Sequence, residues 1–82
     1  MILSTTPKLD LHGEVVAMVE ALVNEFVHDN KLLKNEYIII IHGKSTNILT
    51  KEVHKILKNN QDVLEYKLNN WNLGETLVRL KL

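Results

Sequence analysis

The chain has 82 residues, of which 45% are hydrophobic and 24% are charged, and ten basic and ten acidic side chains give a formal net charge of zero. This size and composition predict one small folded domain rather than a disordered chain. The absence of cysteine excludes disulfide bonds and cysteine-ligated zinc. No apolar run suits a signal peptide or a membrane span, so we expect a soluble, cytoplasmic protein.

The first half of the chain predicts a strand and a helix after a loose N-terminal segment at residues 1–7. Leu9 and Leu11 alternate with polar residues, which indicates a strand over residues 8–12. Apolar residues spaced by three and four then predict a helix over residues 14–33 that packs across a sheet. Its inward row is predicted to be Val15, Val19, Leu22 and Phe26, with Val16, Val23 and Val27 beside it.

The second half predicts three strands and one helix, so residues 8–82 form one domain of order β-α-β-α-β-β. The continuous β-branched run at residues 37–41 indicates a central strand. A loop at residues 42–46 leads into a helix over residues 47–58, and strands follow at residues 63–68 and 75–82. The predicted inward side chains of the last two strands are Leu64, Tyr66, Leu68, Val78, Leu80 and Leu82.

The charges are unevenly distributed along the chain. Residues 14–29 carry four acidic side chains and no Lys or Arg, whereas residues 42–58 carry four lysines against one glutamate. The second segment is a basic patch that suits phosphate groups, although a solvated helix face explains it equally well. Zero net charge argues against tight binding to nucleic acid, because that affinity comes largely from neutralised phosphates.

Two motifs carry the candidate chemistry, Leu-Asp-Leu-His-Gly at residues 9–13 and Ile-His-Gly-Lys-Ser at residues 41–45. Each follows a predicted strand, so parallel strands would bring both histidines to one edge of the sheet, where we expect them to be partly exposed. Asp10 can orient the imidazole of His12, and His12 and His42 can divide the proton transfers of phosphodiester cleavage. Alternatively, these three side chains share a divalent ion, Mg or Mn, or are polar residues without chemistry.

The loop before the second helix is a candidate phosphate-binding segment. A helix N-terminus favours an anion, and the loop adds a lysine and two hydroxyl groups. It is too short for a nucleotide P-loop, and an ordinary turn whose Ser, Thr or Asn caps the helix is the alternative. The predicted nucleic-acid-binding residues are Gly43, Lys44, Ser45, Thr46, Lys51 and Lys55.

Three further ring side chains have less specific interpretations. Trp71, in a loop predicted at residues 69–74, can stack on a base or pin the loop to the sheet, and we favour the second interpretation. His28 and His54 lie within the predicted helices and are interpreted as surface residues.

The two motifs and their separation closely resemble those of the Smr (small MutS-related) domain, and the similarity extends from residue 8 to residue 82. The resemblance implies an α/β two-layer sandwich of one mixed four-stranded sheet backed by two helices, similar to the C-terminal domain of bacterial translation initiation factor three. The functional positions of the family fall on Asp10, His12, His42, Gly43 and Lys44, with Thr46 in the loop.

The same resemblance implies an endonuclease that nicks DNA or cleaves RNA, with a divalent metal as the optional cofactor. The alternatives are a non-catalytic module that binds structured nucleic acid or the ribosome, and a domain used only for protein contact. Smr domains occur as free-standing proteins and at the end of a longer MutS-like chain linked to DNA repair or recombination. The chain departs from the family at Ser45 and Asn47, which replace glycines, at Thr50, where a basic residue is common, and at residues 69–74, where only Gly74 is kept.

Overall fold

The computed structural model describes residues 2–44 and 47–82 and confirms the predicted order of elements. The elements are β1 (Lys8–Asp10), α1 (Val16–Leu32), β2 (Tyr37–Ile41), α2 (Ile48–Lys58), β3 (Val63–Leu68) and β4 (Glu75–Leu80). Within the described ranges, neither helix combines the length and the apolarity that crossing a bilayer requires.

One mixed sheet with the strand order β1-β2-β4-β3 forms the first layer of the molecule. β1 and β2 are parallel, with Leu9 opposite Ile40, whereas β4 is antiparallel to both β2 and β3. Both helices contribute to one continuous apolar core with the sheet, so they form the second layer. The predicted sandwich of one four-stranded sheet backed by two helices is therefore confirmed.

The core lies between the helices and the sheet, and the row of α1 that fills it differs from the predicted one. Val19, Val23 and Val27 are fully buried, whereas Leu22 and Phe26 only pack at the margin of the core. Val15 and Val16 are exposed because α1 begins two residues later than predicted, so both precede the part of the helix that covers the sheet. The other core side chains are Leu11, Ile38, Ile40, Val53, Ile56, Leu57, Val63, Val78 and Leu80.

Two predicted core positions in the last strands are wrong. Leu64 is exposed because a bulge between Val63 and Glu65 shifts the register, so that Val63 faces inward instead. Leu82 is exposed because β4 ends at Leu80. The remaining alternation of β4, with Val78 and Leu80 buried, is as predicted.

Candidate active site

The loops after β1 and β2 meet the start of β4 at one end of the sheet, which we call the polar edge. The Leu11 N–H donates to the Ile41 carbonyl at 2.7 Å and extends the parallel pairing past β1. The Gly74 carbonyl accepts the N–H groups of both His42 and Gly43, each at 2.9 Å. The two motifs therefore meet, as the parallel strands predicted.

His12 is exposed at the polar edge, and its imidazole lies against the backbone of the second motif. A methyl group on Gly43 would lie 3.5 Å from Cδ2 of His12. Gly13 follows with a φ of 79°, a left-handed conformation that favours glycine and turns the chain away from β1. The Asp10 carboxylate accepts the backbone N–H of His12 at 2.9 Å, so this hydrogen bond fixes the main chain at His12.

Lys44 is the basic side chain of the polar edge and follows Gly43, the residue that His12 lies against. Its stem lies over Gly74, where an added methyl group would lie 3.2 Å from Cγ of Lys44. Two more of the predicted nucleic-acid-binding residues, Lys51 and Lys55, lie on α2. Lys51 is exposed, and the Lys55 ammonium lies 3.6 Å from the Glu52 carboxylate. The Lys55 charge is thus partly neutralised, and we expect Lys44 and Lys51 to attract an anion more strongly.

Both helices begin at the polar edge, because each follows one of the two motifs. The N-cap residues Val15 and Asn47 make no side-chain capping hydrogen bond. The predicted cap by Asn47 is therefore wrong, and the predicted roles of Ser45 and Thr46 lie outside the described residues. The first N–H groups of each helix lack these side-chain acceptors, an arrangement that favours a negatively charged ligand.

His42 differs from the expectation that both histidines are partly exposed, because only 3% of its surface is exposed. β2 lies between β1 and β4, and alternate residues of a strand share a face. His42 continues the buried row of Ile38 and Ile40 and so lies beneath α2. The prediction that His42 is partly exposed was wrong because it considered only that His42 follows the end of β2. It did not consider that His42 continues the inward row of Ile38 and Ile40.

The imidazole of His42 is held at both nitrogens. Nε2 lies 2.9 Å from Oγ1 of Thr76, and Nδ1 lies 2.8 Å from Oγ1 of Thr50 and 3.1 Å from the Gly43 carbonyl. A carbonyl can only accept, so the last contact is a hydrogen bond in the tautomer that carries its proton on Nδ1. Through this bond, His42 fixes the orientation of the peptide unit that leads to Lys44.

His54 completes a histidine–threonine cluster formed by His42, Thr50, His54 and Thr76. Its Nε2 lies 2.7 Å from Oγ1 of Thr76, and its ring meets those of His42 and Tyr66 edge to face, with centroids 6.1 and 5.1 Å away. Burial lowers the pKa of His54 below its ordinary value, and repulsion by a charge on His42 lowers it further. His54 is half-buried, whereas His28 is exposed as expected.

Sequence analysis missed this cluster, although two signals indicate it. Thr50 and His54 are four residues apart and therefore share a helix face, and His54 follows the buried Val53. Thr76 occupies the inward register of β4, two residues before the buried Val78. Of these residues, only His54 had been interpreted, as a surface residue, and its ring instead bonds to Thr76 beneath the helix.

Trp71 does not pin its loop to the sheet, which was the favoured interpretation, because 97% of its surface is exposed. Asparagine side chains order the loop instead. Oδ1 of Asn69 accepts the Trp71 N–H at 3.0 Å, and Oδ1 of Asn72 accepts the Gly74 N–H at 3.0 Å. The indole ring is therefore free to contact a ligand.

A divalent ion shared by Asp10, His12 and His42 does not fit this geometry. Both ring nitrogens of His42 are engaged by the hydrogen bonds of the cluster. Across residues 2–44 and 47–82, no three His, Asp or Glu side chains come together as a metal site would require. Asp10 and His12 are both exposed at the polar edge, so each side chain can contact a ligand by itself.

The profile of the Smr domain matches residues 9–81, which include both motifs and nearly the whole chain. The chain belongs to the Smr domain family. It is 33% identical over 69 residues to an endonuclease MutS2 from Halothermothrix orenii, a match covering 84% of this chain and 9% of that protein. It is 34% identical over 73 residues to the endonuclease MutS2 of Helicobacter pylori strain 26695, a match covering 89% of this chain and 10% of that protein.

Solved Smr structures have the same fold. The Smr domain of Thermus thermophilus MutS2 superposes with a TM-score of 0.89 at 22% identity, covering 94% of this chain and all of that one. YdaL, a stand-alone small MutS-related protein from Escherichia coli, superposes with a TM-score of 0.88 at 23% identity, covering 95% of this chain and 66% of that one. The chain spans about a tenth of the length of the MutS2 relatives it matches.

Proposed function

We propose that this Smr domain cleaves phosphodiester bonds of DNA or RNA at the polar edge, as an endonuclease. The observation that carries the proposal is the exposed imidazole of His12, which lies against Gly43, the residue before Lys44, at the edge where both helices begin. The similarity to proteins named endonuclease MutS2 supports it. A phosphate there meets a lysine and the positive ends of two helix dipoles.

His12 is the proposed acid–base catalyst. Its imidazole takes a proton from the attacking hydroxyl group as that oxygen bonds to phosphorus, or gives a proton to the oxygen that leaves. One imidazole supplies one of these transfers, so solvent supplies the other. Lys44 stabilises the negative charge that develops on the phosphate oxygens.

Asp10 and His42 are proposed to position the site rather than to exchange protons with substrate. Asp10 bonds to the main chain of His12, and His42 bonds to the carbonyl that precedes Lys44. His42 is enclosed among threonines, which separates its ring from a phosphate bound outside. Both residues therefore act through the loops that carry His12 and Lys44.

A non-catalytic module that binds structured nucleic acid is the second candidate, and the burial of His42 favours it. The two-imidazole mechanism needs both rings at the substrate, and His42 is enclosed. In this alternative, Lys44, Lys51 and Lys55 bind phosphates and His12 only adds a hydrogen bond. The ribosome is a structured nucleic-acid partner of this kind.

A cleavage assay separates the two candidates. Supercoiled plasmid and a structured RNA are incubated with the wild type, His12→Ala and His28→Ala, each with and without Mg²⁺ or Mn²⁺. We expect cleavage by the wild type and by the exposed-histidine control His28→Ala, and a loss of at least about 100-fold in His12→Ala. Binding without cleavage by the wild type would favour the non-catalytic module, and neither binding nor cleavage would overturn both proposals.

A further inference from the structure

We infer that Trp71 stacks on an unpaired base of the strand whose phosphate lies at the polar edge, so that the domain prefers nucleic acid with unpaired bases. This inference rests on the proposed function and names the substrate class of that site. Trp71 is the only tryptophan in the chain, and 97% of its surface is exposed. A ring so exposed contributes almost no packing to the fold, so it is available to a ligand and its replacement should leave the fold intact.

The loop presents the ring in an ordered way. Beside the bonds to Trp71 and Gly74 already described, Nδ2 of Asn69 donates to the Glu75 carboxylate at 2.9 Å. The Asn72 N–H donates to the Asn69 carbonyl at 3.1 Å, and the Glu75 N–H donates to the Asn72 carbonyl at 3.1 Å. Because the backbone on both sides of Trp71 is fixed, the loop itself loses little conformational entropy when a flat ligand stacks on the indole.

The loop is continuous with the polar edge. Gly74, three residues after Trp71, accepts the backbone N–H groups of His42 and Gly43 and lies under the Lys44 stem. Three residues span at most about 11 Å, so Trp71 lies within roughly one or two nucleotides of a phosphate at Lys44. Residues 69–74 contain no charged side chain, so none of them repels a phosphate backbone.

Stacking on the exposed indole selects unpaired bases. Every base has a π-face that can stack on an aromatic ring, and exposed aromatics beside basic groups are how proteins bind single strands without reading sequence. In an intact duplex these faces are covered by neighbouring base pairs. We therefore expect single strands, hairpin loops and unpaired flaps to bind more tightly than a blunt duplex.

The fluorescence of Trp71 tests this directly, since the signal comes from one indole. His12→Ala serves as the background, so that the probes stay intact during titration. The probes are a single-stranded oligothymidine and a blunt duplex of the same length. We expect the single strand to quench the fluorescence and the duplex to leave it nearly unchanged.

Binding of labelled probes by variants in the same background gives the second readout. Trp71→Ala should weaken single-strand binding by about 5- to 150-fold and leave duplex binding within about twofold. Trp71→Phe should retain most of the affinity, because its ring still stacks. The matched control is Leu32→Ala, which removes an exposed apolar side chain at the other end of α1 and should change neither affinity.

The outcomes separate this inference from the proposed function. If both probes bind, and Lys44→Gln weakens both, while Trp71→Ala changes neither affinity, the stacking inference is overturned and the proposed site stands. Equal weakening of both probes by Trp71→Ala also overturns it, because the ring would then contact the backbone rather than a base. If the wild type binds neither probe, the proposed function and the inference fail together.

Discussion

His12 and His42 follow neighbouring parallel strands and each precedes a glycine, yet they lie in opposite environments. His12 follows β1, which is at the edge of the sheet, and its ring is exposed. His42 follows β2, which is flanked by β1 and β4, and its ring is enclosed beneath α2. His42 continues the inward row of Ile38 and Ile40, whereas His12 follows the buried Leu11 and so falls on the opposite face of its strand. The face of the strand on which a histidine falls therefore decides whether it can reach a ligand.

The backbones of the two motifs are alike, whereas the side chains are not. Gly13 and Gly43 have φ angles of 79° and 84°, so both loops turn by the same left-handed step. The comparison separates the turn that both motifs share from the exposed imidazole of His12, to which we assign the chemistry. The substitutions below test that separation.

The largest expected effect on stability is that of His42→Ala. The change leaves a cavity and deprives the hydroxyl groups of Thr50 and Thr76 of a partner, which should cost about 2–4 kcal/mol of the free energy of unfolding. Urea unfolding followed by circular dichroism measures it. The matched variant His12→Ala should stay within about 0.5 kcal/mol of the wild type. Equal stability of the two variants would remove the distinction between the histidines.

Gly13→Ala and Gly43→Ala test the shared turn. Each alanine would have to adopt a left-handed conformation, so each variant should lose about 1–2 kcal/mol of the free energy of unfolding. The same urea experiment gives both values. A loss at only one of the two positions would show that the loops are not equivalent at the level of the backbone.

Lys44→Gln sharpens the assignment of phosphate binding to the polar edge. Losing one phosphate contact should reduce the slope of log affinity against log salt by about 0.9 for duplex DNA. The triple variant with Lys51 and Lys55 should lose about two to three times as much, because Glu52 partly neutralises Lys55. Fluorescence anisotropy over a salt series measures the slope. The control Lys81→Gln removes an exposed charge at the far end of β4. An unchanged slope in the triple variant would assign binding to another face.

The smallest expected effect is the pH dependence contributed by His54. Its pKa in the folded state lies below the ordinary value of about 6.5, so the unfolded chain takes up the proton first as the pH falls. Stability should decrease as the pH falls from about 7 through 6.5 towards the folded pKa, by less than about 1 kcal/mol because the ring is only half-buried. His54→Gln should flatten this part of the stability profile, and an unchanged profile would contradict the role of His54.

Sequence patterns predicted most of the fold because strands and helices leave clear periodicities. The continuous run of β2 and the alternation of β4 were sufficient to place both strands, and the paired motifs predicted the polar edge. The bulge that exposes Leu64 could not be predicted, because one extra residue leaves no mark in a pattern of period two. The burial of His42 could have been predicted from the row of Ile38 and Ile40, but its bonds to Thr50 and Thr76 depend on how α2 packs over the sheet.

Single-turnover cleavage by His12→Ala and His42→Ala, compared per folded molecule at a temperature where both variants are folded, tests the central claim most directly. We expect His12→Ala to lose at least about 100-fold in the rate of the chemical step. His42→Ala should retain the rate within about tenfold, because its ring only positions the loop that carries Lys44. A folded His42→Ala protein that loses as much activity as His12→Ala would contradict the assignment of chemistry to the exposed histidine alone.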